Sequence, residues 1–424
     1  MISIIFFLFI FLLILGIPIF LTMGTISAIV FGYDDRLITL AQKIVDELNS
    51  PTLMTVPYFV IAATFMERGG VAKALIESVT AWIGHIHGGL GLVAIITCAI
   101  FAAMCGSSVA TAIAMGTILI PSMLRNNYDP GFAGGIVASA GTLGILIPPS
   151  LVFIVYGMMT DSSIPRLFLG GIIPGLISVI LMCCYVYFTS RKKKYINIEP
   201  IKLQEKIQKT MFAIPALMIP IIILGGLYGG FVTLTETAAL SAIIAMILSL
   251  FVYREIKLNQ FFTILTYSIR NAASIMIIIA MAMALGHLIT ETGIANKVLH
   301  LINELDIKSW QFLLIINIIM IFLGMFLEVL SIMLIMIPIV APLLEPMGID
   351  PIHFGVMLVI NMELALMSPP VGLNLFVISN ISKIPLTSVL RGTIPFFVLM
   401  LMMLIVVTYV PIVSTWLPNY LMGY

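Results

Sequence analysis

Apolar residues run along this chain in blocks too long for a soluble core. Residues 1–33, 78–124, 130–160, 167–190, 210–235, 237–253, 271–290, 309–327, 364–382 and 392–424 contain no Asp, Glu, Lys or Arg. A helix that crosses a bilayer needs about 20 apolar residues. The longest blocks therefore hold more than one segment, and the pattern predicts roughly 10–12 spans plus some segments that enter without crossing. The alternation of a membrane β-barrel, in segments of about 10 residues, is absent. The opening MISIIFFLFIFLLILG has no basic stretch and no small-residue cleavage site, so it reads as a retained first helix. Two stretches are amphipathic instead. In 34–50, Leu37, Leu40, Ala41, Ile44, Val45 and Leu48 form one helical face opposite Arg36, Lys43, Asp46 and Glu47. In 254–270, Leu258, Phe261, Phe262, Leu265 and Ile269 do the same against Lys257, Gln260 and Arg270. Both predict helices lying in the membrane interface.

Composition agrees with the pattern. The 424 residues are 61% hydrophobic and 9% charged, whereas a soluble chain carries about 25% charged residues. This excludes a soluble enzyme, a nucleic-acid binder and a secreted disulfide scaffold. Cys98, Cys105, Cys183 and Cys184 lie in apolar stretches and read as small hydrophobes. The histidines His85, His87, His287, His300 and His353 show no ligand spacing and read as interfacial. Charge gathers in one segment, 191–209, where Arg191, Lys192, Lys193, Lys194, Lys202, Lys206 and Lys209 outweigh Glu199 and Glu205. The positive-inside rule puts this linker in the cytoplasm.

The halves on either side of the linker are copies. Pro121 matches Pro342, Asp129-Pro130 matches Asp350-Pro351, Gly134 matches Gly355 and Pro148-Pro149 matches Pro369-Pro370, all 221 residues apart. Leu169, Gly171, Ile173 and Pro174 match Leu390, Gly392, Ile394 and Pro395 at the same spacing. Prolines and glycines mark special backbone geometry, so the halves share their breaks. Duplicated membrane halves with matching broken helices are the signature of a secondary transporter. If each half crosses an odd number of times, the second is inverted and the N-terminus is external.

Two features recur in each half. An apolar run is interrupted by small polar residues at Gly106-Ser107-Ser108 and, at the same offset, by Glu328 and Ser331. About 14 residues on either side reach roughly 20 Å at 1.5 Å each, which suits a re-entrant hairpin. A paired proline then breaks a helix in 139–155 and again in 361–378. Unwound backbone at membrane depth leaves carbonyls that must meet protein, water or an ion. Singly, the first feature could be a packing patch and the second a kink; their duplication favours a binding site. Its carbonyls and hydroxyls are hard oxygen ligands suited to Na⁺ and an anionic substrate. Glu328 and Glu363 lie in apolar surroundings and need a partner or a wet cavity; Glu363, which aligns with Thr142, serves either a polar site or packing. Asn361 and Asn374 flank the second break. Glu236 reads as part of a helix cap by Thr233 or Thr235.

Taken together, Gly106-Ser107-Ser108 with Pro121, the TLGILIPPS of 142–150, the GFVTLTETAA of 230–239 and the SPPVGLN of 368–374 resemble the large membrane subunit of TRAP (tripartite ATP-independent periplasmic) transporters. The resemblance covers essentially the whole chain. It implies an all-α polytopic protein of two inverted repeats, working as an elevator with a fixed scaffold and a moving transport domain. The first repeat would be 1–190 (1–56 scaffold and arm helix, 57–190 with hairpin 92–124 and broken helix 136–158) and 191–209 the linker. The second would be 210–424 (210–270 scaffold and arm helix, 271–424 with hairpin 312–345 and broken helix 354–380). The implied activity is Na⁺-driven import of an organic acid, of the sialic acid or C4-dicarboxylate class, across the bacterial inner membrane. A soluble periplasmic binding protein would deliver it, a separate small four-helix membrane subunit would assist, and Na⁺ would be the coupling ion with no cofactor. The chain would not be an enzyme. Carried over, the first sodium site is Gly106, Ser107, Ser108, Thr142, Gly144 and Pro148. The second, by repeat symmetry, is Glu328, Ser331, Glu363, Met367 and Pro369, with substrate near Ser108, Asn361 and Asn374. The second tip departs from the family's small polar residues. The alternatives are a stand-alone Na⁺/dicarboxylate symporter and, from another class, an ion channel.

Overall fold

The computed structural model describes residues 7–9, 11–13, 15–33, 35–193, 195 and 198–423, and the elements among them are helical. The first six residues of the opening block and Lys194 of the linker lie outside the described residues, as does the side chain of Glu47. The helices are α1 (Ile19–Tyr33), α2 (Leu37–Leu48), α3 (Thr55–Arg68), α4 (Val71–Ile83), α5 (Gly89–Cys105), α6 (Ser108–Arg125), α7 (Pro130–Thr142), α8 (Leu151–Thr160) and α9 (Ile164–Lys193). The second half contributes α10 (Leu203–Tyr228), α11 (Leu234–Ile247), α12 (Leu258–Glu291), α13 (Ile294–Glu304), α14 (Ser309–Gly324), α15 (Val329–Leu344), α16 (Pro351–Met367), α17 (Leu373–Ser382), α18 (Leu386–Tyr409) and α19 (Ile412–Met422). Six of them are long and apolar enough to cross a membrane: α6, α9, α10, α11 with its continuation to Val252, α12 and α18.

Local chemistry sets the matching helix starts. Asp129 caps α7 by accepting the Phe132 N–H at 2.8 Å, and Pro130 takes the first helical position, where no amide donor is needed. Asp350 and Pro351 repeat the device at α16, with the Ile352 N–H at 2.6 Å. Thr233 and Glu236 form a reciprocal capping box at α11, so Glu236 has a structural task.

Helices of one half pack on those of the other. Gly135 of α7 meets Gly392 of α18 backbone to backbone, a contact any side chain would block. Gly355 of α16 lies against Leu167 of α9, and Tyr156 of α8 donates to the Pro351 carbonyl at 2.7 Å. The last turns of α9 instead meet the start of α7: the Phe132 and Tyr185 rings lie 6.4 Å apart, and the Lys193 ammonium sits 5.2 Å from the Phe132 centroid. Helices α7 and α16, which correspond in sequence, therefore begin at opposite ends of α9.

Residues 7–9 and 11–13 of the opening stretch are helical, and Gly16 at φ +75° separates them from α1, which starts at Ile19. Two expectations differ from the structure. The amphipathic stretch 254–270 is not a separate arm helix; from Leu258 it is the start of the 34-residue α12. At 1.5 Å per residue that helix is about 50 Å long, more than the roughly 30 Å hydrocarbon core, and no glycine or proline breaks it before Gly286. The first amphipathic stretch does form its own helix, α2, tied to α12 by Arg36, which donates to both Glu291 oxygens at 3.0 and 3.1 Å. Finally, His353 is not interfacial but buried, with Nδ1 2.9 Å from the Ser414 hydroxyl.

Candidate functional site

The first helix break is built by glycine and serine. Gly106 ends α5 in the left-handed region, and Ser107 turns extended to cap α6, its Oγ 3.4 Å from the Ala110 nitrogen. This tip rests on the first proline break. A Cβ on Gly106 would lie 2.7 Å from the Pro149 carbonyl oxygen, and one on Gly144 would lie 2.6 Å from the Ser107 oxygen. Among the described residues, no backbone N–H takes the carbonyl of Pro148 or Pro149. Ser150 donates to the Ile145 carbonyl at 2.6 Å, holding the unwound segment in place. Gly106, Ser107, Ser108 and Gly144 are thus brought together beside the Pro148-Pro149 segment. The Thr142 hydroxyl instead turns back to the Ser139 carbonyl at 2.8 Å.

Asn374 joins the two halves at this point. Its amide donates to the Ser108 hydroxyl at 2.8 Å and to the Ala138 carbonyl at 3.1 Å, while its Oδ1 is buried without a partner. Asn361, the third residue expected at the substrate, goes elsewhere. It donates to Asn317 of α14, and the Asn317 amide donates to Thr408 of α18 at 2.9 Å, making a buried polar chain across three helices.

The second tip differs. Its helix α14 ends at Gly324, which packs directly on Ala365 of α16, and Glu328 starts α15 without capping it. Ser331 and Met367 are buried, whereas Pro369, Pro370 and Val371 are exposed, so the second proline break is open where the first is sealed. Glu363 is fully buried, and neither carboxylate oxygen has a hydrogen-bond partner among the described residues.

Ser107 and Glu328 nevertheless share a cavity. It measures about 370 Å³ and lies between the two tips and helices α3 and α12. Its polar lining includes Thr64 and Glu67 from α3 and Tyr267, Asn271 and Ser274 from α12, and among the described residues no Lys, Arg or His lines it. Sequence reasoning missed these five. Glu67 stands next to Arg68 before Gly69-Gly70 and reads as the charged end of a helix; Arg68 does not itself line the cavity but lies 4.6 Å from the ring centroid of Tyr267, which does. The cavity joins two carboxylates, hydroxyls and an amide, a donor set for a hard cation and for the polar groups of a small solute.

The profile of the tripartite ATP-independent periplasmic transporter family, DctM component, matches residues 6–413. The C4-dicarboxylate TRAP transporter large permease protein DctM of Pseudomonas aeruginosa is 41% identical over 398 residues, covering 94% of this chain and 93% of that protein. The sialic acid TRAP transporter large permease protein SiaM of Vibrio cholerae is 32% identical over 384 residues, covering 91% and 90%. Among solved structures, the YdaH transporter of Alcanivorax borkumensis superposes with a TM-score of 0.67 at 14% identity, covering 94% of this chain and 98% of that one, a likeness of fold.

Proposed function

The chain belongs to the DctM family of tripartite ATP-independent periplasmic transporters, and from that premise we propose that it is the large permease of a Na⁺-coupled importer of organic acids. The substrate class is C4-dicarboxylate or sialic acid, by likeness to relatives bearing those names. A periplasmic binding protein delivers the acid and a small four-helix membrane subunit completes the complex in the inner membrane, with the basic linker cytoplasmic and the N-terminus periplasmic. The two halves act as inverted repeats, a reading supported by α7 and α16 starting from opposite ends of α9. The helices around both breaks then move as an elevator against a frame that includes α3 and α12.

One observation carries the reading: the tips of both breaks, at Ser107 and Glu328, open on one cavity that holds two carboxylates and no basic residue. An organic acid entering alone is repelled there. Two carboxylates about 5 Å apart cost about 3 kcal/mol at an effective dielectric of about 20. A cation held at the first tip by Ser107, Ser108 and carbonyls near Gly106, Gly144 and Pro148 offsets that repulsion, which couples the two ligands. By repeat symmetry, Glu328, Ser331, Glu363, Met367 and Pro369 form the second cation region. Substrate lies toward Ser108 and Asn374.

The test is uptake by liposomes holding the permease and small subunit, with binding protein outside and labelled C4-dicarboxylate or sialic acid as probe. An inward Na⁺ gradient should drive uptake that K⁺ does not, and Ser107→Ala/Ser108→Ala should raise the Na⁺ concentration required. Uptake equal in Na⁺ and K⁺ would remove sodium coupling, and uptake without the binding protein would favour the stand-alone symporter.

A further inference from the structure

A second cavity, remote from both tips, has the wrong charge for the transport site and the right charge for a phosphate. It measures about 390 Å³ and lies where the last turn of α9 meets the first turns of α7 and α18, at the end of the molecule from which the basic linker departs. Lys193 and Arg391 both line it. Neither makes an ion pair among the described residues, although Asp129 lines the same cavity. The Asp129 Oδ1 is committed to the Phe132 N–H, and the Lys193 ammonium lies over the Phe132 ring instead. Thr189 and Ser388 also line the cavity, and neither side chain makes a hydrogen bond among the described residues. Two cations and two hydroxyl-bearing residues, none of them paired among the described residues, thus line one space. Its floor is closed by the backbone contact of Gly131 with Gly392 and its wall by Phe132 and Tyr185.

We propose that this cavity binds a phosphate group, and that its source is the headgroup of an anionic phospholipid. Basic pockets between membrane helices, beside a polybasic segment, recruit such headgroups, and the aromatic wall belongs to the level of the bilayer interface. Arg391 offers a planar fork and Lys193 a point charge, the usual pair for a phosphate diester. A lipid held here bridges α7 and α9 of the first half to α18 of the second, which stiffens that contact.

The experiment uses the purified full chain in neutral detergent, with phosphatidylglycerol, phosphatidylcholine and sodium phosphate as probes. Thermal midpoints give apparent affinity and native mass spectrometry counts bound lipid. Phosphatidylglycerol should raise the midpoint saturably where phosphatidylcholine does not. Lys193→Gln/Arg391→Gln should weaken that effect about 30-fold, from roughly fivefold per basic residue at a membrane surface. Arg191→Gln/Lys192→Gln removes the same charge outside the cavity and should weaken it less. Equal losses in the two pairs, or equal effects of the two lipids, would overturn the site. A matching shift from millimolar phosphate alone would overturn the lipid as its source.

Discussion

Alanine at Gly106 asks whether the first tip is truly seated on the first proline break. Gly106 holds φ +61°, and its Cβ would lie 2.7 Å from the Pro149 carbonyl oxygen and 3.1 Å from the Leu151 nitrogen. Both neighbours are backbone, so neither can swing aside. Two costs add. The left-handed region costs a residue with a side chain about 1–2 kcal/mol, and forcing a methyl into a packed contact costs about 1–3 kcal/mol. Gly293 separates them, because it has φ +65° with nothing within 4 Å of its Cβ position. Gly293→Ala carries the first cost alone, so Gly106→Ala should be the worse of the two by about 1–3 kcal/mol. The assay is the thermal midpoint of both variants at one scan rate, since unfolding of such a protein is read as a rate if it is irreversible. Sodium dependence of uptake should also shift for Gly106→Ala and stay at the wild-type value for Gly293→Ala. Equal midpoints would mean that tip and break do not touch, and the reading of a cation held between them would fall.

Three further outcomes follow. Asn374→Ala leaves the Ser108 hydroxyl and the Ala138 carbonyl without their donor, and should cost about 1–3 kcal/mol in stability while weakening the sodium response; no change in either would deny the bond. Glu363→Gln replaces a buried carboxylate that has no partner by a neutral isostere, so the midpoint in sodium-free buffer should hold or rise; a drop would reveal a donor or cation on the carboxylate. Burial pushes the phenols of Tyr128 and Tyr195, which stack 4.2 Å apart beside the linker, up from 10.0 to about 12. The fold favours their neutral forms, so stability is complete below about pH 10 and lost as pH rises through about 12. A Tyr128→Phe/Tyr195→Phe chain should lose that decline in an alkaline melting series, and an unchanged decline would place the titration elsewhere.

The breaks were readable because they depend on what a residue lacks. Gly106 has no Cβ, the paired prolines have no amide hydrogens, and Asp-Pro marks a helix start wherever it stands. Such signals are local and survive duplication, which is why one offset recovers them in both halves. The facing of long apolar helices is not local. Nothing in the sequence tells which of Thr64, Glu67, Asn271 and Ser274 turns inward, since tertiary packing alone decides it, and Asn374 meets Ser108 from 266 residues away. An interfacial helix and the first turns of a long one share the same periodicity, so the amphipathic stretch before Arg270 does not by itself distinguish a separate helix from the start of α12.

The two halves keep one backbone plan while exchanging what fills it. Gly144 allows the first proline-broken helix to touch its tip at Ser107 and Ser108; its counterpart at 221 residues is Ala365, and there the glycine stands on the other side of the contact, at Gly324. Close approach is preserved though the residue providing it has crossed over. The polar fillings diverge further, with Ser107 and Thr142 answered by Glu328 and Glu363, and with a sealed first break answered by an open second one. A transporter that alternates between two facings needs states of nearly equal energy, or no ligand could shift the balance between them. On the proposed alternating-access reading, matching backbones supply that near equality, and unequal side chains at the two breaks, neutral oxygen donors on one side and carboxylates on the other, make a cation and an anion bound together weigh differently on each state.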